Sequence, residues 1–433
     1  MKRIAVSTLL ALALTSLTAF AQNSKVWTLQ ECLDYAMENN IQLQQSRNNY
    51  LSGLEDTEQA KAALFPTLSA SSSQNVSASP FMEGNSGVNY SGSYGLNADM
   101  TLYSGGKLRR AVQQQEVQNE RDSLSIAQNA MDIRIAIVQA YMQCLYAAEA
   151  VTVNENTVEL SKAQRDRAGE MWRAGSISKV DYAQLESQVY SDEYQLTVSR
   201  TNLANYRLQL KQLLELGIDE EMELAAVEAD EADVLRLLPE KSLVYERALE
   251  NMPEIASGEL GIEAAELALK QAKAGYLPTL GLSAGIGTSN RSGAGNAFTS
   301  QILDNFNTNV GLTLRIPILN GRQTKTAVNK AQISLSNSRL SAMSTEKNVL
   351  REVENAYLDA ESAQAQYLSA QQKEIYARQS YELTDEQFAL GMKNTVELIT
   401  ANNQYLSARQ SFLQAKYMAL LNLAILDIYQ GNM

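Results

Sequence analysis

Histidine is absent from all 433 residues. Nucleophile systems that rely on an imidazole base are therefore excluded, and the usual zinc and copper sites lose their commonest ligand. Cysteine is almost as rare, with only Cys32 and Cys144. Export would permit a disulfide. Cys144, though, lies on a helical seam among alanines, where a small buried thiol is the expected reading. The sequence has no glycine-rich phosphate loop and no cluster of metal ligands, so no catalytic, cofactor-binding or metal residue is assigned and no enzyme is expected. Positive charge is in deficit, 36 Lys and Arg against 49 Asp and Glu, for a net −13. That balance argues against nucleic acid, whose phosphates need cationic partners. Beyond the N-terminus no run reaches about 18 consecutive apolar residues, which excludes transmembrane helices.

What is present begins with an export pattern. Lys2 and Arg3 precede an apolar run, Ile4 to Leu17, and Ala19-Phe20-Ala21 supplies small residues at a cleavage site. This predicts a signal peptide over 1–21, removed after Ala21. The rest of the chain is a duplication. "FPTLSAS" from Phe65 answers "LPTLGLS" from Leu277 at an offset of 212. "LYSGGK" from Leu102 answers "ILNGRQ" from Ile318 at an offset of 216, which also relates Tyr141 to Tyr357 and Gln188 to Gln404. Two repeats follow, 22–216 and 239–433, joined by 217–238. That connection starts with "GIDEEMELAAVEADEAD", eight acids and no base. It reads as a solvated linker, or as a small layer around the helices.

Each repeat orders its parts alike. A helical segment comes first, Leu29 to Leu64 and Leu243 to Tyr276. Strands are predicted at 67–79 and 89–103, then at 279–289 and 309–319. Alternation carries the prediction: Tyr90, Tyr94, Leu96, Ala98, Met100 and Leu102 interleave with Asn89, Ser91, Ser93, Asn97, Asp99 and Thr101. The segments 79–88 and 290–308 read as Gly/Ser/Asn-rich turns. Strands of this length with one apolar face fit a transmembrane barrel, which about ten tilted residues can cross. Four strands cannot close a barrel, so the chain must supply them to an oligomer, of two copies for eight strands or three for twelve. A small soluble hairpin sheet is the alternative.

Ser104 and Asn320 stand where N-caps of long helices would be. Those helices are predicted at 105–172 and 321–388, and no proline interrupts either. A heptad-like seam runs through Ile126, Ala130, Ile133, Ile137, Ala140, Cys144, Ala147 and Val151. Tip turns follow at 173–179 and 389–395, then returning helices at 180–216 and 396–430. The helices alone fit a structural coiled coil and the wall of a tube equally.

The ordered set resembles the TolC family of outer-membrane efflux proteins over nearly the whole mature chain. Its marks are Pro66 and Pro278 at the strand entries, Gly105 and Gly321 between strand and helix, and Gly175 and Gly391 in the hairpins. The resemblance implies a mostly helical fold with membrane β-strands and long coiled-coil hairpins. It also implies a homotrimer, whose twelve-stranded β-barrel continues as a twelve-helix α-barrel. It implies an exit duct in the outer membrane, serving efflux or type I secretion, with its helices in the periplasm. Implied partners are outer-membrane lipid, a periplasmic adaptor (membrane fusion protein), and an inner-membrane pump or secretion ATPase. Gate residues carried over are Glu397, Asp181, Phe388 and Lys393. Thr400 stands where the family has a second acid. Adaptor docking falls at Arg173, Ala174, Gly175, Ser176, Leu390, Gly391 and Met392. A periplasmic adaptor or coiled-coil spacer is the rival reading, disfavoured by two hairpins and membrane-length strands.

Overall fold

A computed structural model describes residues 26–78, 88–217, 219–226, 231–293 and 295–432. The expected signal peptide, most of the 79–88 turn and part of the acidic connection lie outside the described residues. The chain forms two compact units. One comprises residues up to Ile41, Ala130–Val244 and Val353 onward; the other comprises Gln42–Asn129 and Tyr245–Glu352.

The second unit contains a four-stranded antiparallel sheet. Its strands, in spatial order, are β2 (Thr67–Ala78), β3 (Val88–Tyr103), β5 (Thr279–Arg291) and β6 (Asn307–Arg315). The register keeps the two faces apart. Ser71 sits opposite Gly95, itself opposite Gly287, on a polar face, whereas Ala70, Leu96 and Ile286 line the apolar one. A slip of one residue would exchange the faces.

Three expectations need correcting here. The helices after β3 and β6 are α3 (Lys107–Arg173) and α9 (Gln323–Ala389), so Ser104 and Asn320 are not N-caps. A left-handed pair intervenes each time, Gly105 and Gly106 or Gly321 and Arg322. Ser104 and Asn320 act through their carbonyls, which accept from the Lys107 and Gln323 N–H groups at 3.1 Å. The 290–308 segment is not all turn, because it folds as helix α8 (Phe298–Asp304). That helix is tied to β5 by the Thr288 hydroxyl donating to the Ile302 carbonyl at 2.6 Å. Finally, β6 ends at Arg315, four residues before the predicted Leu319. Pro317, which has no N–H to donate, lies just beyond.

The first unit is helical. Parts of α3 and α9 contribute to it, with α1 (Leu29–Asn39), α4 (Lys179–Leu213), α5 (Glu231–Val234) and α10 (Thr395–Tyr429). Each 67-residue helix is about 100 Å long at 1.5 Å per residue. The predicted seam is buried from Ile133 to Ala147. Cys32 and Cys144 are buried free thiols, and burial pushes the Cys144 thiol up to about 12. Helix α10 is long and apolar enough to cross a membrane by composition, but 44% of that window is buried within the fold. Its Leu413, Ala415, Ala419 and Leu423 face protein, as coiled-coil core residues do.

The acidic connection is not a solvated linker. Strand β4 (Glu223–Leu224) pairs in parallel with β1 (Val26–Trp27), and the Tyr141 hydroxyl donates to the Ala225 carbonyl at 2.7 Å. Val234, fully buried, packs with Ala363, Tyr367, Ala415 and Ala419. Arg236 pairs with Asp427 at 2.6 Å. The acids Glu231 and Asp233 stay exposed while Met222 and Val234 turn inward. The run is thus a solvated face on an anchored segment.

Candidate functional site

Both hairpin tips lie in the first unit and are built by one local recipe. Helix α3 ends in a Schellman motif: the Gly175 N–H donates to the Trp172 carbonyl at 2.9 Å, and the Ser176 N–H to the Met171 carbonyl at 2.8 Å. Helix α9 ends identically, through Gly391 to Phe388 at 3.0 Å and Met392 to Gln387 at 2.9 Å. Gly175 has φ +78° and Gly391 φ +74°, and a Cβ on either would meet nothing within 4 Å. Glycine is required there by backbone conformation alone.

The helices that follow start with capping boxes, whose third residues are the two acids singled out from the sequence. Ser178 Oγ accepts from the Asp181 N–H at 3.1 Å, and the Ser178 N–H donates to Asp181 Oδ2 at 3.1 Å. Asn394 Oδ1 accepts from the Glu397 N–H at 2.9 Å, and the Asn394 N–H donates to Glu397 Oε2 at 3.1 Å. Both carboxylates therefore have a structural role as caps before any role at a pore. They differ in net charge. Lys393 Nζ donates to Glu397 Oε1, so that charge is paired within its own turn. Asp181 takes its partners from neutral groups, and no basic side chain forms an ion pair with it among the described residues. The buried Thr395 hydroxyl, without a hydrogen bond of normal geometry, lies near enough to Asp181 to lower its pKa slightly. Uncompensated negative charge at the tip thus resides at Asp181 rather than Glu397.

The Ser178 hydroxyl holds the Asp181 carboxyl below its ordinary pKa, and Lys393, then the Asn394 amide, do the same for Glu397. A group depressed on folding lends stability above its unfolded pKa and loses it as pH falls through the folded value. Hydrogen-exchange protection at 178–184 and 394–400 is expected to fall below about pH 4. Ser178→Ala should cost about 1 kcal/mol and remove that pH dependence at the first helix only. Unchanged protection in acid would refute the capping account.

Phe388, carried over as a gate residue, does not face open space. It is 2% exposed and packs with Ala168, Leu185, Tyr381, Leu398 and Ala401. The other tip residues are accessible. Arg173, Ala174, Gly175 and Ser176 are exposed, and so are Leu390 at 73% and Met392 at 64%. Thr400 turns back to its own helix, its hydroxyl donating to the Val396 carbonyl at 2.7 Å.

A polar strap between the hairpins went unread in the sequence. Gln164 Nε2 donates to the Tyr381 hydroxyl at 2.7 Å, and Arg167 pairs with Asp385 at 3.3 Å. Burial, then the neighbouring Asp385, raises the Tyr381 phenol pKa, so it stays neutral. The signal lay in the duplication. The separations are 217 and 218 residues, close to the repeat offset, because equivalent stretches of the two repeats lie side by side.

The profile of the outer membrane efflux protein family matches residues 32–215 and 244–432. The chain is 22% identical over 414 residues to the outer membrane protein TolC of Escherichia coli (strain K12), covering 94% of this chain and 83% of the relative. It is 23% identical over 414 residues to the alkaline protease secretion protein AprF of Pseudomonas aeruginosa, covering 92% and 82%. Among solved structures, the channel protein CusC superposes with a TM-score of 0.80 at 19% identity, over 94% of this chain and 92% of that one.

Proposed function

The chain belongs to the outer membrane efflux protein family, and from that membership we propose that it is an outer-membrane channel for efflux or secretion. It is a passive duct with no covalent chemistry of its own. The observation that carries the proposal is the sheet, with one apolar face, one polar face and, among the described residues, a free edge on either side. Lipid accepts such a sheet only once its edges are closed. Three copies supply twelve strands, enough for an open lumen, and the helices of three copies line the duct on the periplasmic side. Purified protein should conduct in planar bilayers and fractionate with the outer membrane. Recovery in the soluble periplasm, with no conductance, would sink the proposal.

The exposed tip residues Arg173, Ser176, Leu390 and Met392 are the proposed contact with a periplasmic adaptor. That adaptor is served by an inner-membrane pump or a secretion ATPase. Opening moves the hairpins, and adaptor binding favours the open state only by its tighter grip on that state. The Gln164–Tyr381 and Arg167–Asp385 bonds make the two hairpins of one chain move as a pair.

In the assembled channel the tip acids draw cations and resist anions. Because Lys393 already compensates Glu397, Asp181→Asn should reduce cation preference in single-channel recordings more than Glu397→Gln. Equal effects, or a larger one from Glu397→Gln, would show that the lysine leaves its partner when the channel assembles.

A further inference from the structure

Helix α7 (Pro253–Ala274) carries two glycines in its interior, Gly258 and Gly261. Glycine weakens a helix, so it is expected where packing leaves no room for a side chain or where something else approaches the backbone closely. Packing does not demand these two. A Cβ on Gly258 would meet Ala342 at 3.5 Å, and one on Gly261 would meet Arg121 at 3.8 Å, both ordinary contact distances. The space beside them is a cavity of about 520 Å³ between α3, α7 and α9, wholly within the second unit. Sites for small molecules span about 300–1,000 Å³. The duplication shows which side chains are missing there. Offsets of 212 and 216 relate Gly258 to Ser46, Gly261 to Asn49 and Thr345 to Asn129. In repeat one the Asn129 amide donates to the Ser46 hydroxyl at 2.6 Å, joining α3 to α2 (Ile41–Ala62). Repeat two has no hydroxyl at Gly258 to make that bond, and Gly258 and Thr345 both line the cavity.

The wall carries a cation and free hydroxyls. Arg121 forms no ion pair among the described residues. Its Nη1 donates to Gln118 Oε1 at 3.1 Å, but its Nε is buried without an acceptor. A buried N–H left unpaired is costly. The Nε–Nη2 edge of a guanidinium is a fork that grips an oxyanion through two bonds. Nearby, the hydroxyls of Ser257, Ser334, Ser338, Ser341 and Thr345 make no hydrogen bond within the chain among the described residues. Other hydroxyls on these long helices turn back to the carbonyl four residues earlier, as those of Thr157, Ser369 and Ser411 do. A free hydroxyl both donates and accepts, which matches the hydroxyls of a polyol. Glu254 also lines the cavity, but it lies about 10 Å along α7 from the Gly261 that Arg121 packs against, too far to occupy the fork.

We propose that this cavity binds a small anionic sugar, with its carboxylate or phosphate on the Nε–Nη2 edge of Arg121 and its hydroxyls among the serines of α9. Gly258 and Gly261 let the sugar lie against the backbone of α7. The unpaired guanidinium N–H, the unused hydroxyls and the two glycines that packing does not require then have one common cause. The inference goes beyond the channel reading and does not depend on it, since the whole site lies within one chain.

Isothermal titration calorimetry on the full-length protein, in a detergent without a sugar headgroup, tests this. Glucose 6-phosphate and gluconate carry both an oxyanion and hydroxyls, whereas inorganic phosphate carries no carbon-bound hydroxyls and glucose no charge. At least one of the first two should bind about tenfold or more tighter than either of the last two. Arg121→Gln should weaken that binding at least about tenfold, as loss of charged hydrogen bonds does. Gly258→Ser with Gly261→Asn, which returns the side chains of repeat one to α7, should weaken it as much. Arg339→Gln, which removes an exposed ion pair with Glu266, should leave it unchanged. Circular dichroism checks that each variant keeps its helical content, and Gly261→Ser alone, with the same expected loss, replaces the double variant if that does not fold. No heat from either anionic sugar, or binding that survives Arg121→Gln, overturns the site. Binding that survives the filled glycines overturns the cavity as its location. Loss of binding in Arg339→Gln equal to that in Arg121→Gln shows general surface attraction and overturns it too. Inorganic phosphate that binds as tightly as glucose 6-phosphate overturns the sugar.

Discussion

Gly105→Ala is expected to lower the thermal stability of the chain far more than Gly321→Ala, although the two glycines are the same position in the two repeats. Both are left-handed, with φ +65° and +58°. Any side chain there costs about 1–2 kcal/mol through backbone conformation. Only Gly105 adds a collision, because its Cβ would lie 2.9 Å from Leu277 Cβ and 3.2 Å from the Ala274 carbonyl. Backbone cannot rotate away as a side chain can, so overpacking adds about 1–3 kcal/mol. Far-ultraviolet circular dichroism during heating gives the comparison, and equal losses in unassembled protein would show that the Gly105 turn is not packed as described.

That asymmetry marks the limit of what the sequence made legible. The duplication, the two hairpin glycines, the strand alternation and the long helices all follow from local signals repeated twice. Left-handed residues after a helix end call for glycine whatever the surroundings, so Gly175 and Gly391 were readable alone. The capping boxes were equally readable, as Ser178 three residues before Asp181 and Asn394 three before Glu397. The end of β6 was not readable from alternation, which continues to Leu319 although pairing stops at Arg315, two residues before Pro317. Nor was the packing of "EADV" at 231–234. Acids dominate its composition, and the single Val234 that anchors it looks like nothing in a linear string.

Burial of Phe388 was the least legible feature and gives the second large effect. A residue next to a hairpin turn looks exposed, yet it also lies one turn before the glycine, on the stripe that meets the other hairpin. Its neighbours are Ala168 and Leu185 from repeat one and Tyr381, Leu398 and Ala401 from repeat two. Phe388→Ala should therefore cost about 3–5 kcal/mol in local stability, as truncation of a buried phenylalanine does. It should loosen both hairpins together. Hydrogen-exchange protection should drop at 384–401 and also at 165–185, and cells carrying the variant should become sensitive to large antibiotics that the outer membrane normally excludes. Phe388→Leu, which keeps most of the volume, should recover most of the protection. If the ring instead narrowed the lumen, Phe388→Ala would raise conductance and leave protection unchanged in both stretches. The exchange data therefore decide between a plug in the pore and a pin between two helical pairs. In the second case leakage is a consequence of lost packing, and Tyr381→Phe, which cuts the hydrogen bond from Gln164 but keeps the ring, should leak less than Phe388→Ala.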